Sequence, residues 1–250
     1  MKISNILISQ PAPQNSSPYA ELTSKHEVNI DFQPFFKVEP LSAKEFRAQK
    51  INILDFTAIV FTAKTTIDAF FKLCEELRVT VPETMKYFCN SEAIAVYLQK
   101  HIVFRKRKIF YGNGTTASII DTIGSKHKDE KFLIAATADN VKGDLHKLFA
   151  KTKFKFESAA FVKTIYSNLT EMDMSKYQIA VFYSPSDVKS LFENFPEFEQ
   201  KELQIATFGP AAAKAATAAG LRVDVTAPTP EAPSIAKALM LHMQKDNKRQ

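Results

Sequence analysis

The sequence predicts an α/β protein of two related lobes, each built on a mainly parallel sheet, and three observations predict it. Short β-branched or aromatic runs alternate with longer stretches of helical period, the signature of strand and helix units around a parallel sheet. The second half of the chain also repeats the first, segment by segment and in order. Ile6-Leu7-Ile8 matches Phe132-Leu133-Ile134, and at the same spacing Leu22, Lys25, Phe35 and Lys37 meet identical residues at Leu148, Lys151, Phe161 and Lys163. Further on, Ala58-Ile59-Val60-Phe61-Thr62 opposes Ile179-Ala180-Val181-Phe182-Tyr183, and Asn90-Ser91-Glu92-Ala93 opposes Gly209-Pro210-Ala211-Ala212. The spacing shrinks steadily, as small loop deletions would make it. Lastly, this period is far longer than the roughly 20 to 50 residues of a solenoid unit. Two related lobes follow, and two lobes make a cleft.

Taken in order, residues 6–9 read as a strand and 19–25 as a helix. Val28-Asn29-Ile30-Asp31-Phe32 alternates at period two, which marks the next strand. Residues 58–61 form a buried apolar strand, followed by a helix over 65–77 whose Ile67, Phe70, Phe71 and Cys74 share one face. A strand at 86–89, a helix at 91–100, a strand at 108–111 and a helix from Thr116 close the first copy. The second copy runs through strands at 132–135 and 154–156 with a helix at 144–150 between them. It continues with the strand 179–183, the helix 186–194, the strand 204–208, the helix 211–219 and a closing helix over 234–244. Gly220 stands where a helix end favours a residue free to adopt positive φ. Two extended stretches, 35–41 and 161–167, occupy equivalent places and share a Phe-x-Lys pair. As matched segments they are expected to lie side by side and tie the lobes together.

Composition bounds the function. With 250 residues, 45% of them hydrophobic and 24% charged, the chain is an ordinary soluble globular protein of one large or two smaller domains. Its 33 Lys and Arg against 27 Asp and Glu give a net charge of +6, a mild and non-specific bias toward anionic partners. Cys74 and Cys89 stand alone in apolar segments, so neither a disulfide framework nor a zinc site is expected. The opening apolar stretch is too short for a signal peptide and is broken by Pro11 and Pro13. No run approaches the roughly 18 apolar residues of a membrane span. The expected location is the cytoplasm.

In parallel α/β sheets ligands gather at the carboxyl ends of the strands, where helix N-termini offer unpaired N–H groups. The polar loops there supply the candidates: Ser9 and Gln10; Thr62, Ala63 and Lys64; Asn90 and Ser91; Asn113; Ser184, Pro185 and Ser186; Gly209, Pro210 and Ala211. For any one loop taken alone, simple helix capping is the favoured reading. Gly112-Asn113-Gly114-Thr115-Thr116 follows a strand and opens a helix, but it lacks the Gly-Lys-Ser/Thr ending of a P-loop and the third glycine of a dinucleotide fingerprint. A flavin or nucleotide protein rests on that loop alone. The five histidines show no metal-ligand spacing. The run Arg105-Lys106-Arg107-Lys108 carries no nucleic-acid motif, and no Gly-x-Ser-x-Gly elbow is present.

At Val181-Phe182-Tyr183-Ser184-Pro185-Ser186-Asp187-Val188, and again at Ile205-Ala206-Thr207-Phe208-Gly209-Pro210-Ala211-Ala212-Ala213, the chain resembles uroporphyrinogen-III synthase. Gly220-Leu221 supplies the ending of the helix that follows in that family, and Thr229-Pro230 with 234–239 is similar to its closing segment. In the first copy Ile59-Val60-Phe61-Thr62-Ala63-Lys64-Thr65-Thr66-Ile67 is similar to a Phe-Thr-Ser-x-Asn-Ala-Val segment. The resemblance implies two flavodoxin-like parallel-sheet lobes related by internal duplication and joined by a two-stranded linker. It places 1–36 with 170–250 in one discontinuous lobe and 42–160 in the other, with linkers at about 37–41 and 161–169.

The implied reaction is the cyclisation of hydroxymethylbilane to uroporphyrinogen III, with loss of water and inversion of ring D. It implies no cofactor, because the pyrrole nitrogen lone pair drives the hydroxyl out, and no metal. Thr164-Ile165-Tyr166-Ser167 matches the family's Val-Tyr-x-Thr motif, which makes Tyr166 the expected catalytic acid. The expected protein is a monomer that binds neither nucleic acid nor membrane and that could receive its substrate from the upstream deaminase. Two departures bear on affinity: Ala211-Ala212 replaces a Thr-Thr pair, and Gln10 stands where many members carry arginine. A catalytically inactive two-lobe binding protein on the same scaffold is the alternative.

Overall fold

The computed structural model describes residues 3–14 and 17–247. In chain order the first half contains β1 (Asn5–Ile8), α1 (Ala20–His26), β2 (Asn29–Phe32), β3 (Phe36–Pro40), α2 (Ala43–Arg47), β4 (Ala58–Phe61), α3 (Lys64–Leu77), β5 (Lys86–Cys89), α4 (Glu92–Tyr97), β6 (Ile109–Tyr111) and α5 (Ala117–Ile123). The second half contains β7 (Lys131–Thr137), α6 (Asp144–Ala150), β8 (Lys155–Tyr166), β9 (Ile179–Phe182), α7 (Pro185–Asn194), β10 (Gln204–Phe208), α8 (Pro210–Ala218), β11 (Val223–Ala227) and α9 (Ile235–Asn247). The chain divides into two compact units, one holding the residues up to Lys37 and from Tyr166 onward, the other holding Val38–Ile165.

The first unit has a five-stranded sheet in the order β2-β1-β9-β10-β11, with every neighbour parallel. Its central strands β1 and β9 are apolar on both faces, as a parallel strand covered on both sides must be. Ile6 and Ile8 face a core with Leu22 of α1 and Leu239 of α9, while Leu7 faces Leu191 of α7 and Ala216 of α8. The second unit has the order β3-β8-β7-β4-β5-β6, parallel from β8 onward. If β7 and β8 are counted as its first two strands, its sheet repeats the order of the first. The equivalences seen in the sequence, β4 with β9 and β5 with β10, fall on equivalent places.

Phenylalanines dominate the second unit's core. Phe161 packs at 4.9 Å from Phe46 and 5.6 Å from Phe70, which stands 5.6 Å from Phe61. All four are 1% exposed or less, so truncating any one to alanine would cost about 3–5 kcal/mol. The helix α3 presents Ile67, Phe70, Leu73 and Cys74 to this core at spacings of three and four.

Three elements differ from the sequence-based reading. β8 is one continuous strand of 12 residues rather than two short ones. Its middle, Glu157-Ser158-Ala159-Ala160, has weak strand propensity, and the ladder to β7 overrides it. α2 lies outside that reading, although Ser42 and Glu45 form the capping box that announces it. β11, also outside it, follows the alternation of Val223, Val225 and Ala227 and closes the sheet against β10. The extended stretches at 35–41 and 161–167 do pair. Leu41 N donates to Phe161 O at 2.9 Å and Ser167 N to Phe35 O at 2.9 Å, an antiparallel register.

Candidate active site

The expected binding residues come together in two groups, one along the carboxyl edge of each sheet. In the first unit Ser9 and Gln10 leave β1, Ser184, Pro185 and Ser186 follow β9, and Gly209, Pro210 and Ala211 follow β10, so three adjacent strands present them. In the second unit Thr62, Ala63 and Lys64 follow β4, Asn90 and Ser91 follow β5, and Asn113 follows β6, again on adjacent strands.

On the first edge, Gly209 adopts φ 90° and ψ 152°, a conformation open to glycine, and turns the chain into α8. Pro210 then opens the helix, where its missing N–H costs nothing, and leaves the first-turn amides of Ala211 and Ala212 without intrahelical acceptors. Beside it, the start of α7 is already occupied. Asp187 is fully buried, and its Oδ2 accepts from Tyr183 N at 2.8 Å and Ser184 N at 2.9 Å. Burial raises its carboxyl above the usual range, against the pull of those amides. Among the described residues the other oxygen, Oδ1, has no hydrogen-bond partner, nor do the buried hydroxyls of Ser9 and Thr207. Ser9 lies close enough to favour the charge but outside hydrogen-bonding geometry. The amide of Ser184 is therefore held inside the protein, whereas the half-buried Ser186 hydroxyl is bonded to no described residue.

Four aromatic rings line the other side of the same edge. The hydroxyls of Tyr19 and Tyr183 are 2.5 Å apart, Tyr19 packs on Phe32 at 5.8 Å, and Tyr183 packs on Phe208 at 5.7 Å. Burial raises both phenols above their ordinary range.

On the second edge, α3 begins without a side-chain cap, so the amides of its first turn are open. Lys64, its first residue, holds its ammonium 5.2 Å from the Tyr97 ring centre, and Lys100 sits over the same ring at 4.6 Å. The Tyr97 hydroxyl donates to Asp68 at 2.7 Å, and His101 Nε2 lies 2.8 Å from the other Asp68 oxygen. Burial opposes the charge on Asp68, but these bonds outweigh it and hold its carboxyl below the usual range. Asn90 Oδ1 is a buried acceptor with no partner among the described residues. The Asn113 side chain is committed within its own loop, accepting from Thr115 N at 3.2 Å. Gly112 is required there, since a Cβ would stand 2.0 Å from Ser118 Oγ.

Tyr166 ends β8. The last ladder pair of β7 with β8 is Thr137 with Val162, so β8 runs on past β7, beside β3, before reaching Tyr166. The residues after it are pinned. Ser167 N and Ser190 Oγ both donate to Phe35 O, and Asn194 Nδ2 donates to Ser167 O at 2.9 Å. Tyr166 itself is half-buried. A cavity of about 750 Å³ in the first unit, lined by Met172, Met174, Phe195 and Phe198, opens at the amino ends of β9 and β10, the end opposite the candidate residues.

Sequence reasoning overlooks Asp187, Tyr19, Tyr183, Asp68, Tyr97, Lys100 and His101. Asp187 is accessible to it as the fourth residue of a Ser-x-x-Asp helix start. The Tyr19–Tyr183 pair spans most of the chain and carries no local signal.

Two parallel sheets of like order, each carrying open helix starts along its carboxyl edge, define an α/β protein suited to an anionic small molecule. The family model for uroporphyrinogen-III synthase HemD matches residues 17–237. The fold is similar to that of a mutant uroporphyrinogen III synthase from the extremely thermophilic bacterium Thermus thermophilus, at 13% identity and TM-score 0.64 over 97% of this chain and 99% of that one. It is also similar to uroporphyrinogen-III synthetase from Helicobacter pylori 26695, at 17% identity and TM-score 0.61 over 97% of this chain and 100% of that one. A search of curated proteins gives no match. The chain belongs to the uroporphyrinogen-III synthase family. Its reaction is the cyclisation of hydroxymethylbilane to uroporphyrinogen III with loss of water and inversion of ring D, a hydro-lyase step of tetrapyrrole biosynthesis. Among the described residues no helix is long and apolar enough to cross a membrane.

Proposed function

We propose that Tyr166 is the acid of this reaction and that the two carboxyl edges hold the substrate's acetate and propionate groups. The observation that carries the first part is the placement of Tyr166 at the end of a strand that runs on past β7, with Ser167 fixed directly behind it. The pyrrole nitrogen lone pair pushes the hydroxyl off the terminal methylene, and the phenol supplies the proton that makes it water. A phenol with an ordinary pKa near 10 is protonated at neutral pH and can donate without first being charged. The methylene then bonds to ring D at its substituted carbon, giving a spiro centre. Cleavage and reclosure invert the ring, and the proton lost on rearomatisation restores the phenol.

Carboxylates would be held by the amides of Ala211 and the α3 start, by Lys64, and by the hydroxyls of Thr62, Ser91, Ser184 and Ser186, with the buried Ser9 bracing its loop from behind. Gln10, Ala63, Asn90, Asn113, Pro185, Gly209 and Pro210 shape the loops around them. The loss of two threonine hydroxyls at Ala211-Ala212 leaves main-chain amides as the donors of that loop. In this reading residues 37–41 and 161–169 serve as the linker between a discontinuous lobe and a continuous one. The protein works as a single chain in the cytoplasm, on hydroxymethylbilane received from the upstream deaminase.

The test supplies fresh hydroxymethylbilane, oxidises the products and separates type I from type III porphyrin. Tyr166→Phe keeps the ring and removes the hydroxyl, so the type III rate should fall on the order of 100-fold. Because the bilane also closes unaided, type I should accumulate in its place. A Tyr166→Phe protein with the parent's type III rate overturns the assignment.

A further inference from the structure

We propose that the Tyr183 hydroxyl, oriented by Tyr19 and set among aromatic rings, is a substrate-binding group that donates a hydrogen bond to a carboxylate of the tetrapyrrole. The inference rests on reading the carboxyl edge of the first unit as a substrate surface. Tyr19 and Tyr183 face each other at 2.5 Å, and neither hydroxyl has another partner among the described residues. Both stay protonated at neutral pH, since burial raises both. Two protons meet in one hydrogen bond, so one hydroxyl proton is left over. A buried donor without an acceptor is costly. Tyr19 is only 4% exposed, whereas Tyr183 is partly exposed. The favoured arrangement therefore has Tyr19 donating to Tyr183 and Tyr183 turning its own proton outward.

The place and the surroundings point to the ligand. Tyr183 directly follows β9, in the middle of the edge, between the Ser9 loop of β1 and the Gly209 loop of β10. Phe32 and Phe208, at the ends of β2 and β10, extend the aromatic surface on either side. A flat pyrrole ring stacks on such rings, and its short carboxylate arms reach a donor set among them. The equivalent residue of the second unit is Thr62, which offers no such ring. The hydrogen-bonded tyrosine pair therefore belongs to one edge only and can distinguish one end of the substrate from the other.

The experiment measures KM, kcat and isomer ratio with fresh hydroxymethylbilane for Tyr183→Phe, Tyr19→Phe and the double variant, alongside melting temperatures. Losing a hydrogen bond to a charged group should raise KM about tenfold in Tyr183→Phe, with kcat and the type III share little changed. Tyr19→Phe should raise KM less, and the double variant should match Tyr183→Phe, because Tyr19 acts through Tyr183. A parent-like KM in Tyr183→Phe overturns the proposal. So do KM increases in the two single variants that multiply in the double, since that marks independent packing defects. The outcome is separable from the role of Tyr166, whose replacement is read in kcat and isomer ratio.

Discussion

Tyr183 N donates to the buried carboxylate of Asp187 at 2.8 Å, so the start of α7 carries an anion of its own making. A substrate carboxylate brought to that turn finds these two amides already engaged, which leaves the Ser186 hydroxyl as its free donor. Beside it, α8 starts with its first-turn amides open.

Replacing Asp187 with asparagine should therefore stabilise the protein at neutral pH. Burial raises the folded pKa of Asp187, so the folded state holds this proton more tightly than the unfolded chain does. The group's contribution is fully present below the ordinary carboxylate value of about 3.9 and is lost as pH rises through the folded pKa. Asparagine keeps an oxygen for the two amides and offers an N–H₂ toward the Ser9 hydroxyl, which has no partner among the described residues. A gain of about 1 kcal/mol at pH 7 is expected, vanishing near pH 4. Melting temperatures across that range check it, and a difference independent of pH would contradict it.

Gly209→Ala should cost about 1–3 kcal/mol through backbone strain alone. Apart from its chain neighbours, no described residue comes within 4 Å of the added Cβ, so the loss comes from φ 90° and ψ 152° rather than from a clash. Denaturant unfolding would measure it. The same change at Gly220, with φ 82° and equally open space, is the matched control and should also destabilise while leaving KM alone.

Cys74 and Cys89 should resist thiol reagents in the native protein. Both are free and buried, and burial pushes each thiol up to about 12. At pH 8 the thiolate fraction is then on the order of 1 in 10,000. Ellman titration should find no rapid thiol in the folded protein and both cysteines after denaturation. Prompt labelling of either would show that the core around α3 and β5 opens easily.

The parts of this fold that sequence reveals are those whose signal is local. β4, β5 and β10 are short apolar runs bounded by polar loops, and α3 and α6 show clean helical spacing, so their limits are readable in the chain. The centre of β8 is not, because alanine and serine become strand there only through pairing with β7. The site divides in the same way. Loop residues such as Ser184 and Gly209 are marked by their position after a strand. The contacts of Tyr19 with Tyr183, or of His101 with Asp68, join residues distant in sequence whose identities alone do not pair them.

The interleaving of the two units sets an order on biosynthesis. β1 is a central strand, paired with β2 on one side and with β9 on the other, Ile8 opposite Val181. The entire second unit lies between those partners in the chain. As the polypeptide leaves the ribosome, Val38–Ile165 can complete its sheet while Ile6, Leu7 and Ile8 still lack half of their hydrogen-bonded neighbours. Until β9 emerges, that apolar stretch is an open edge, and it is the segment for which a nascent-chain chaperone would have the longest use.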